Sequence, residues 1–164
     1  MKYMGPMIVV KDINQTKAFY TKVLGLRVIS DFGENITFTG GLSAQTENSW
    51  IQFTNGNKKD FKYGGNNFEL YFEEDDFDNF IHKIKELKID RIGELTEMPW
   101  GQKIVRFYDP DKHIIEVGEN LKIVVKRLFE SGMKIDEIAK KTFLTEKYIQ
   151  RLLNNVNNSS LLNK

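Results

Sequence analysis

The feature that most constrains the fold is a repeated order of elements. A strand, a helix and three more strands can be read twice, with about 61–64 residues between corresponding positions. In the first copy, Met7, Ile8, Val9 and Val10 form a short β-branched strand. Asp12 or Asn14 can cap the helix that follows, whose apolar face carries Ala18, Phe19, Tyr20, Val23 and Leu24. Gly25 supplies its C-cap. Strands are expected at residues 26–30 and 36–39, and, after the Gly40-Gly41 turn, at 49–54 (Ser-Trp-Ile-Gln-Phe-Thr). A polar loop over 55–65 separates the copies.

The second copy starts with a strand at 68–72. An acidic helix start follows at Glu73-Glu74-Asp75-Asp76, where negative charge suits the helix dipole. Phe77, Phe80, Ile81, Ile84 and Leu87 form the apolar face of that helix, with Phe80 in the place of Phe19. Strands are expected at 90–95, 103–107 and 114–117, with Asp109-Pro110-Asp111 turning between the last two. Neither half alone covers both faces of its sheet. Set side by side, two such halves place their helices outside and curl their strands into a cup. The expected fold is therefore α+β: paired βαβββ modules over residues 1–118 forming a curved-sheet cup, then a small C-terminal helical module.

Composition narrows the chemistry. The 164 residues include no cysteine, which excludes disulfides, thiolate metal sites and cysteine nucleophiles. His82 and His113 are the only histidines, so one chain cannot build a three-histidine metal site. No apolar run approaches the roughly 20 residues that span a bilayer, and Met1-Lys2-Tyr3-Met4-Gly5-Pro6 has no signal-peptide core. A cytoplasmic protein with no membrane partner is the expectation. Residues 1–118 hold 15 Lys and Arg against 18 Asp and Glu, a net of −3, and residues 119–164 hold 9 against 5, a net of +4.

Two stretches carry a resemblance. One is Ile8-Val9-Val10-Lys11-Asp12-Ile13 with Ala18-Phe19-Tyr20 and Val23-Leu24-Gly25-Leu26. The other is Pro99-Trp100-Gly101-Gln102 with Phe107-Tyr108-Asp109-Pro110-Asp111 and Ile115-Glu116-Val117. Together they resemble the vicinal-oxygen-chelate superfamily, which holds glyoxalases, extradiol dioxygenases, and fosfomycin- and bleomycin-resistance proteins. Lys112 stands where that family usually places a glycine for a positive-φ turn, a strain of about 1 kcal/mol. The resemblance places the metal-chelating positions of such proteins near Gly5, Gln52, Asn67 and Glu116. Only Glu116 is a usual ligand type; glycine has no side chain, and neutral amides suit Zn²⁺ poorly. The resemblance thus implies the scaffold without lactoylglutathione lyase chemistry.

Strand alternation extends the implied site. If Asn67 points inward, so do Glu69 and Tyr71; if Gln52 does, so do Trp50 and Thr54; Met7 shares the face of position 5. Trp100 falls near the rim and Arg106 can join, giving a candidate ligand-binding set of Met7, Trp50, Gln52, Thr54, Asn67, Glu69, Tyr71, Trp100, Arg106 and Glu116. Trp50, Tyr71 and Trp100 are equally compatible with plain core aromatics. A carboxylate at Glu69 needs a partner, which could be Arg106, a cationic ligand group, or a metal shared with Glu116. A metal held by Glu116, Glu69 and Gln52 would be Mg²⁺, Mn²⁺ or Fe²⁺. No residue is assigned a catalytic role, and both histidines are read as structural.

Three functions fit. The first is a homodimeric protein that binds a small amphipathic organic molecule. The second is a divalent-metal-dependent lyase, isomerase or dioxygenase. The third is a ligand-responsive DNA-binding regulator, which rests on residues 119–156. There Leu121, Val124, Val125, Leu128 and Phe129 mark one helix, Ile135, Ile138 and Ala139 a second, and Tyr148, Ile149, Leu152 and Leu153 a third, with 157–164 as a flexible tail. The run from Met133 to Thr145 looks like a helix–turn–helix, whose last helix would expose Lys147, Gln150 and Arg151 to nucleic acid. An excess of four positive charges is small for DNA, so a docking or dimerisation element is the favoured reading of these helices.

Overall fold

The computed structural model describes the backbone of residues 1–161 and the side chains of residues 1–154. Its strands form two separate four-stranded sheets, and in each the first strand pairs with the fourth, the fourth with the third and the third with the second. The described chain divides into two compact units, residues 1–70 with 108–114, and residues 71–107 with 115 onwards.

In the first unit, β1 (Met7–Val10) pairs in parallel with β4 (Ser43–Thr46), which pairs antiparallel with β3 (Asn35–Phe38), and β3 with β2 (Val28–Asp31). Helix α1 (Ile13–Leu24) starts where the Asp12 carboxylate accepts the Asn14 and Gln15 N–H groups, and ends at Gly25 with φ 68°. Its buried face is Thr16, Tyr20 and Val23, while Ala18 is exposed. Ile8, Val10, Ile36, Phe38 and Ala44 are buried on one side of the sheet, leaving Met7, Val9, Asn35, Thr37, Ser43 and Gln45 on the other.

The strand expected at 49–54 is a helix. β4 follows the Gly40-Gly41 turn directly, and the chain then forms α2 (Glu47–Thr54). Alternation over six residues suits either period, and the flanking caps decide. Thr46 Oγ1 accepts the Ser49 N–H, Glu47 sits in the first turn, and Asn55 closes the helix at φ 53°.

The second sheet holds β5 (Glu69–Glu74), β6 (Thr96–Glu97), β7 (Lys103–Tyr108) and β8 (Ile114–Glu119). Helix α3 (Phe77–Glu86) buries Phe77, Phe80, Ile81 and Ile84, and Phe80 packs on Phe107 of β7 with ring centroids 6.2 Å apart. The strand expected at 90–95 shrinks to one bridge, Arg91 to Phe107, because the chain bends at Gly93 (φ 72°) before β6 begins. Lys112 takes φ 68° in the β7–β8 turn, the conformation the motif demands.

Three helices follow: α4 (Leu121–Glu130), α5 (Ile135–Thr142) and α6 (Glu146–Leu161). Val124, Val125, Leu128, Ile138 and Ile149 form their shared core, flanked by Met133, Leu144 and Leu152. Thr145 Oγ1 accepts the Tyr148 N–H at the start of α6. That helix continues to Leu161, past the expected end at 156; of the tail expected at 157–164, residues 162–164 lie outside the described residues. Among the described residues no helix is long and apolar enough to cross a membrane.

Candidate functional site

The clearest polar arrangement lies on the side of the second sheet opposite α3. Phe107 turns to Phe80, so alternation turns Arg106 the other way. There the Arg106 guanidinium forms an ion pair with the Glu116 carboxylate on the neighbouring strand β8. Glu116 is only 8 % exposed, so the pair supplies the charge compensation a buried carboxylate requires. The same guanidinium is one of the partners open to Glu69. Glu69 itself is exposed on β5, two positions before Tyr71 and on the same face.

Beside this pair sits a node centred on Gln102, which the candidate set does not include. Gln102 is buried, and its Nε2 donates to Tyr71 Oη at 2.8 Å and to the Glu119 carbonyl at 2.8 Å. Its Oε1 accepts from Trp100 Nε1 at 2.9 Å. Both amide N–H groups and the amide oxygen are engaged, which fixes the orientation of Gln102 and holds both aromatics. Tyr71 Oη donates in turn to Glu73 at 3.1 Å, and burial pushes its phenol pKa upward, so it remains a neutral donor at physiological pH. Gly118 makes the node possible, since a Cβ there would stand 2.8 Å from Gln102 Nε2 and 3.2 Å from Tyr71 Oη. Only local signals were visible in the Trp100-Gly101-Gln102 run. The partners of Gln102 lie 31 and 17 residues away.

The same corner receives the helical module. Arg127 of α4 donates through Nη2 to the Gly101 carbonyl at 2.7 Å and to Glu119 at 2.9 Å, and Glu119 is buried at the end of β8. Asn120, the N-cap of α4, donates its N–H to the Glu74 carbonyl.

Residues of the first unit expected in the site have local settings of their own. Trp50, Gln52 and Thr54 stand on α2, so strand alternation does not turn them to a common face. Trp50 packs edge-on against Phe61 with centroids 5.1 Å apart, and Thr54 Oγ1 donates to the Trp50 carbonyl. Gln52 and Thr54 are exposed. Met7 is on β1, where its sulfur accepts from Asn35 Nδ2 at 3.8 Å. Asn67 is exposed in the segment before β5. The open side of the first sheet is occupied by Thr37 bonded to Ser43 at 3.0 Å and Gln45 bonded to Ser49 at 2.9 Å.

The two histidines lie in different settings. His82 is exposed on α3. His113 places Nδ1 2.9 Å from Asp109 Oδ2 in the β7–β8 turn. Asp109 also accepts from Tyr20 Oη and from the N–H groups of Asp111 and His113, so this buried carboxylate organises the Phe-Tyr-Asp-Pro-Asp turn. Burial, with Asp109 close by, drives the Tyr20 phenol pKa far upward.

The residues at the expected chelating positions do not fit a metal. A side chain at Gly5 would meet the Gly41 carbonyl oxygen at 2.1 Å, Gln52 stands on a helix, and Glu116 is held by Arg106. Among the described residues no group of three or more His, Asp or Glu side chains is placed to hold an ion.

Two four-stranded sheets of identical order, each from a βαβββ segment, define the duplicated scaffold of the vicinal-oxygen-chelate proteins. The glyoxalase-like domain family matches residues 3–122, and the chain belongs to that family. Among solved structures, a protein of unknown function from Agrobacterium tumefaciens str. C58 is 36 % identical, with a TM-score of 0.67 over 73 % of this chain and 94 % of that one. A lactoylglutathione lyase from Agrobacterium tumefaciens is 23 % identical, with a TM-score of 0.57 over 73 % and 93 %. A fosfomycin resistance protein from Mesorhizobium loti is 18 % identical, with a TM-score of 0.51 over the same shares. The last two likenesses concern the fold alone. No curated protein matches the sequence.

Proposed function

We propose that the chain binds a small amphipathic organic molecule on the open side of its second sheet, and that it does not act as a lactoylglutathione lyase. The observation that carries the reading is the hydrogen-bonded Tyr71–Gln102–Trp100 node beside the Arg106–Glu116 pair. Binding sites for small molecules combine apolar and aromatic surface with a few fixed polar groups. Trp100 and Tyr71 supply the surface, and Glu69, Arg106 and Glu116 supply charge on the same side of the sheet. The negative half of the proposal rests on the chelating positions, where a backbone contact fills the place of one ligand and an arginine engages another. A homodimer is part of this reading, and light scattering on the eluting protein checks it.

A thermal-shift screen of amphipathic aromatic compounds, followed by calorimetry on the hits, tests the site. Trp100→Ala and Glu116→Ala are each expected to weaken a hit by tenfold or more, with Glu69→Ala weakening cationic hits most. Unchanged affinity in all three would discard the site. Stoichiometric Mg²⁺, Mn²⁺ or Fe²⁺ retained after dialysis, together with turnover of the glutathione hemithioacetal, would discard the exclusion of lyase activity.

A further inference from the structure

The three C-terminal helices form a compact core of their own. α4, α5 and α6 each pack against the other two around Val124, Val125, Leu128, Ile138 and Ile149. A turn of three residues, 143–145, joins α5 to α6, with Phe143 in the left-handed conformation at φ 60°. A tight turn between the last two helices of a three-helix core is the geometry of a helix–turn–helix.

The outer face of α6 is more specific. Ile149 is fully buried and Leu152 and Leu153 are half-buried, whereas Glu146, Lys147, Gln150, Arg151 and Asn154 are exposed, at spacings that share one face. Arg151 lies over the Tyr148 ring at 4.8 Å, which braces its side chain. Acidic groups elsewhere in the module are engaged locally. Glu119 pairs with Arg127, Glu130 with Lys126, and Asp136 with Lys140, while Glu137 accepts the Lys134 N–H. Glu146 is the one acid on the α6 face between residues 146 and 154.

Composition of that face separates the classes of partner. Protein interfaces deplete lysine and centre on apolar or aromatic anchors; this face presents mainly amides and cations, its one aromatic, Tyr148, is half-buried under Arg151, and the exposed Phe143 lies in the turn before it. Lysine, arginine, glutamine and asparagine are the side chains that reach phosphates and base edges. A helix of about 10–12 Å diameter enters the major groove of B-form DNA, about 12 Å wide, but not the narrow major groove of A-form RNA. We propose that α6 is a recognition helix that binds duplex DNA in the major groove, with Gln150 and Arg151 at base edges and Lys147 on the backbone.

The test uses the full chain and a fluorescent pool of random-sequence duplexes, read by anisotropy at several salt concentrations, followed by selection of a preferred sequence. Binding is expected to weaken by more than about tenfold between 50 and 200 mM salt. Lys147→Ala should lower the salt slope by about one, and Lys147→Ala/Arg151→Ala should weaken binding by tenfold or more. Gln150→Ala should leave random-pool affinity within about twofold while weakening the selected sequence by about fivefold or more. Lys85→Ala on α3 is the control and should change nothing. No binding to any duplex at about 50 mM salt would overturn the proposal. So would binding that survives Lys147→Ala/Arg151→Ala, binding lost equally in Lys85→Ala, or a preference for RNA, each with helical circular dichroism intact.

Discussion

Separating Arg106 from Glu116 probes the site and the fold together. The Glu116 side chain is 11 % exposed and that of Arg106 is 37 %. Breaking a fully buried pair by removing one partner costs about 3–5 kcal/mol, because an uncompensated charge remains. Exposed pairs are worth about 0.2–1 kcal/mol. One partner here is buried and the other more than a third exposed, so the coupling should fall between these limits, near 2 kcal/mol, about thirtyfold in the folding equilibrium. A double-mutant cycle with Arg106→Met, Glu116→Gln and the combined variant measures that coupling directly. Stabilities come from urea titrations at neutral pH followed by circular dichroism, with the denaturant slope checked for constancy. Arg106→Met alone should be the most damaging of the three, and adding Glu116→Gln should restore part of the loss. A coupling below about 0.5 kcal/mol would refute the reasoning, since the pair would then behave as a solvated surface contact.

Three further outcomes follow from other parts of the molecule. Gly118→Ala should push Gln102 out of its position, lowering stability by about 1–3 kcal/mol for the bonds broken and weakening any ligand that also needs Trp100; calorimetry and thermal melts read both. Tyr20→Phe removes a donor from buried Asp109 and should cost about 1–3 kcal/mol in a denaturant titration, leaving binding at the second sheet unchanged. Burial, opposed in part by the Lys11 N–H, holds the Asp111 carboxyl above its ordinary value of 3.8. A raised carboxyl favours the folded state below its unfolded value, and that contribution is lost as pH rises through the folded value. The stability of Asp111→Asn relative to the natural chain should therefore improve between about pH 3.5 and 7, and a flat difference would contradict the assigned shift.

Much of the fold was legible because its signals are local. The Asp12 cap, the Gly25 terminus, the apolar face of α3 and the positive φ at Lys112 each depend on residues within a turn or two of one another. The repeat spacing then fixed the order of strands. Signals of comparable strength failed where two readings competed within a short window. The Ser-Trp-Ile-Gln-Phe-Thr run alternates like a strand, yet Thr46 and Asn55 cap it as a helix, and with that change Trp50, Gln52 and Thr54 leave the expected site. At 90–95 a single bend at Gly93 sufficed to break the ladder.

From the sequence alone came the duplicated βαβββ order, the glyoxalase-like motifs and the three C-terminal helices. These are properties of residue identity and short-range spacing. Tertiary structure decided which groups meet. Gln102 finds Tyr71 and Glu119, Arg106 takes Glu116, and Arg127 ties α4 to the Gly101 corner. Such pairings depend on strand register and on side-chain directions set by distant packing. A buried polar group selects its partner only once the chain around it has excluded water.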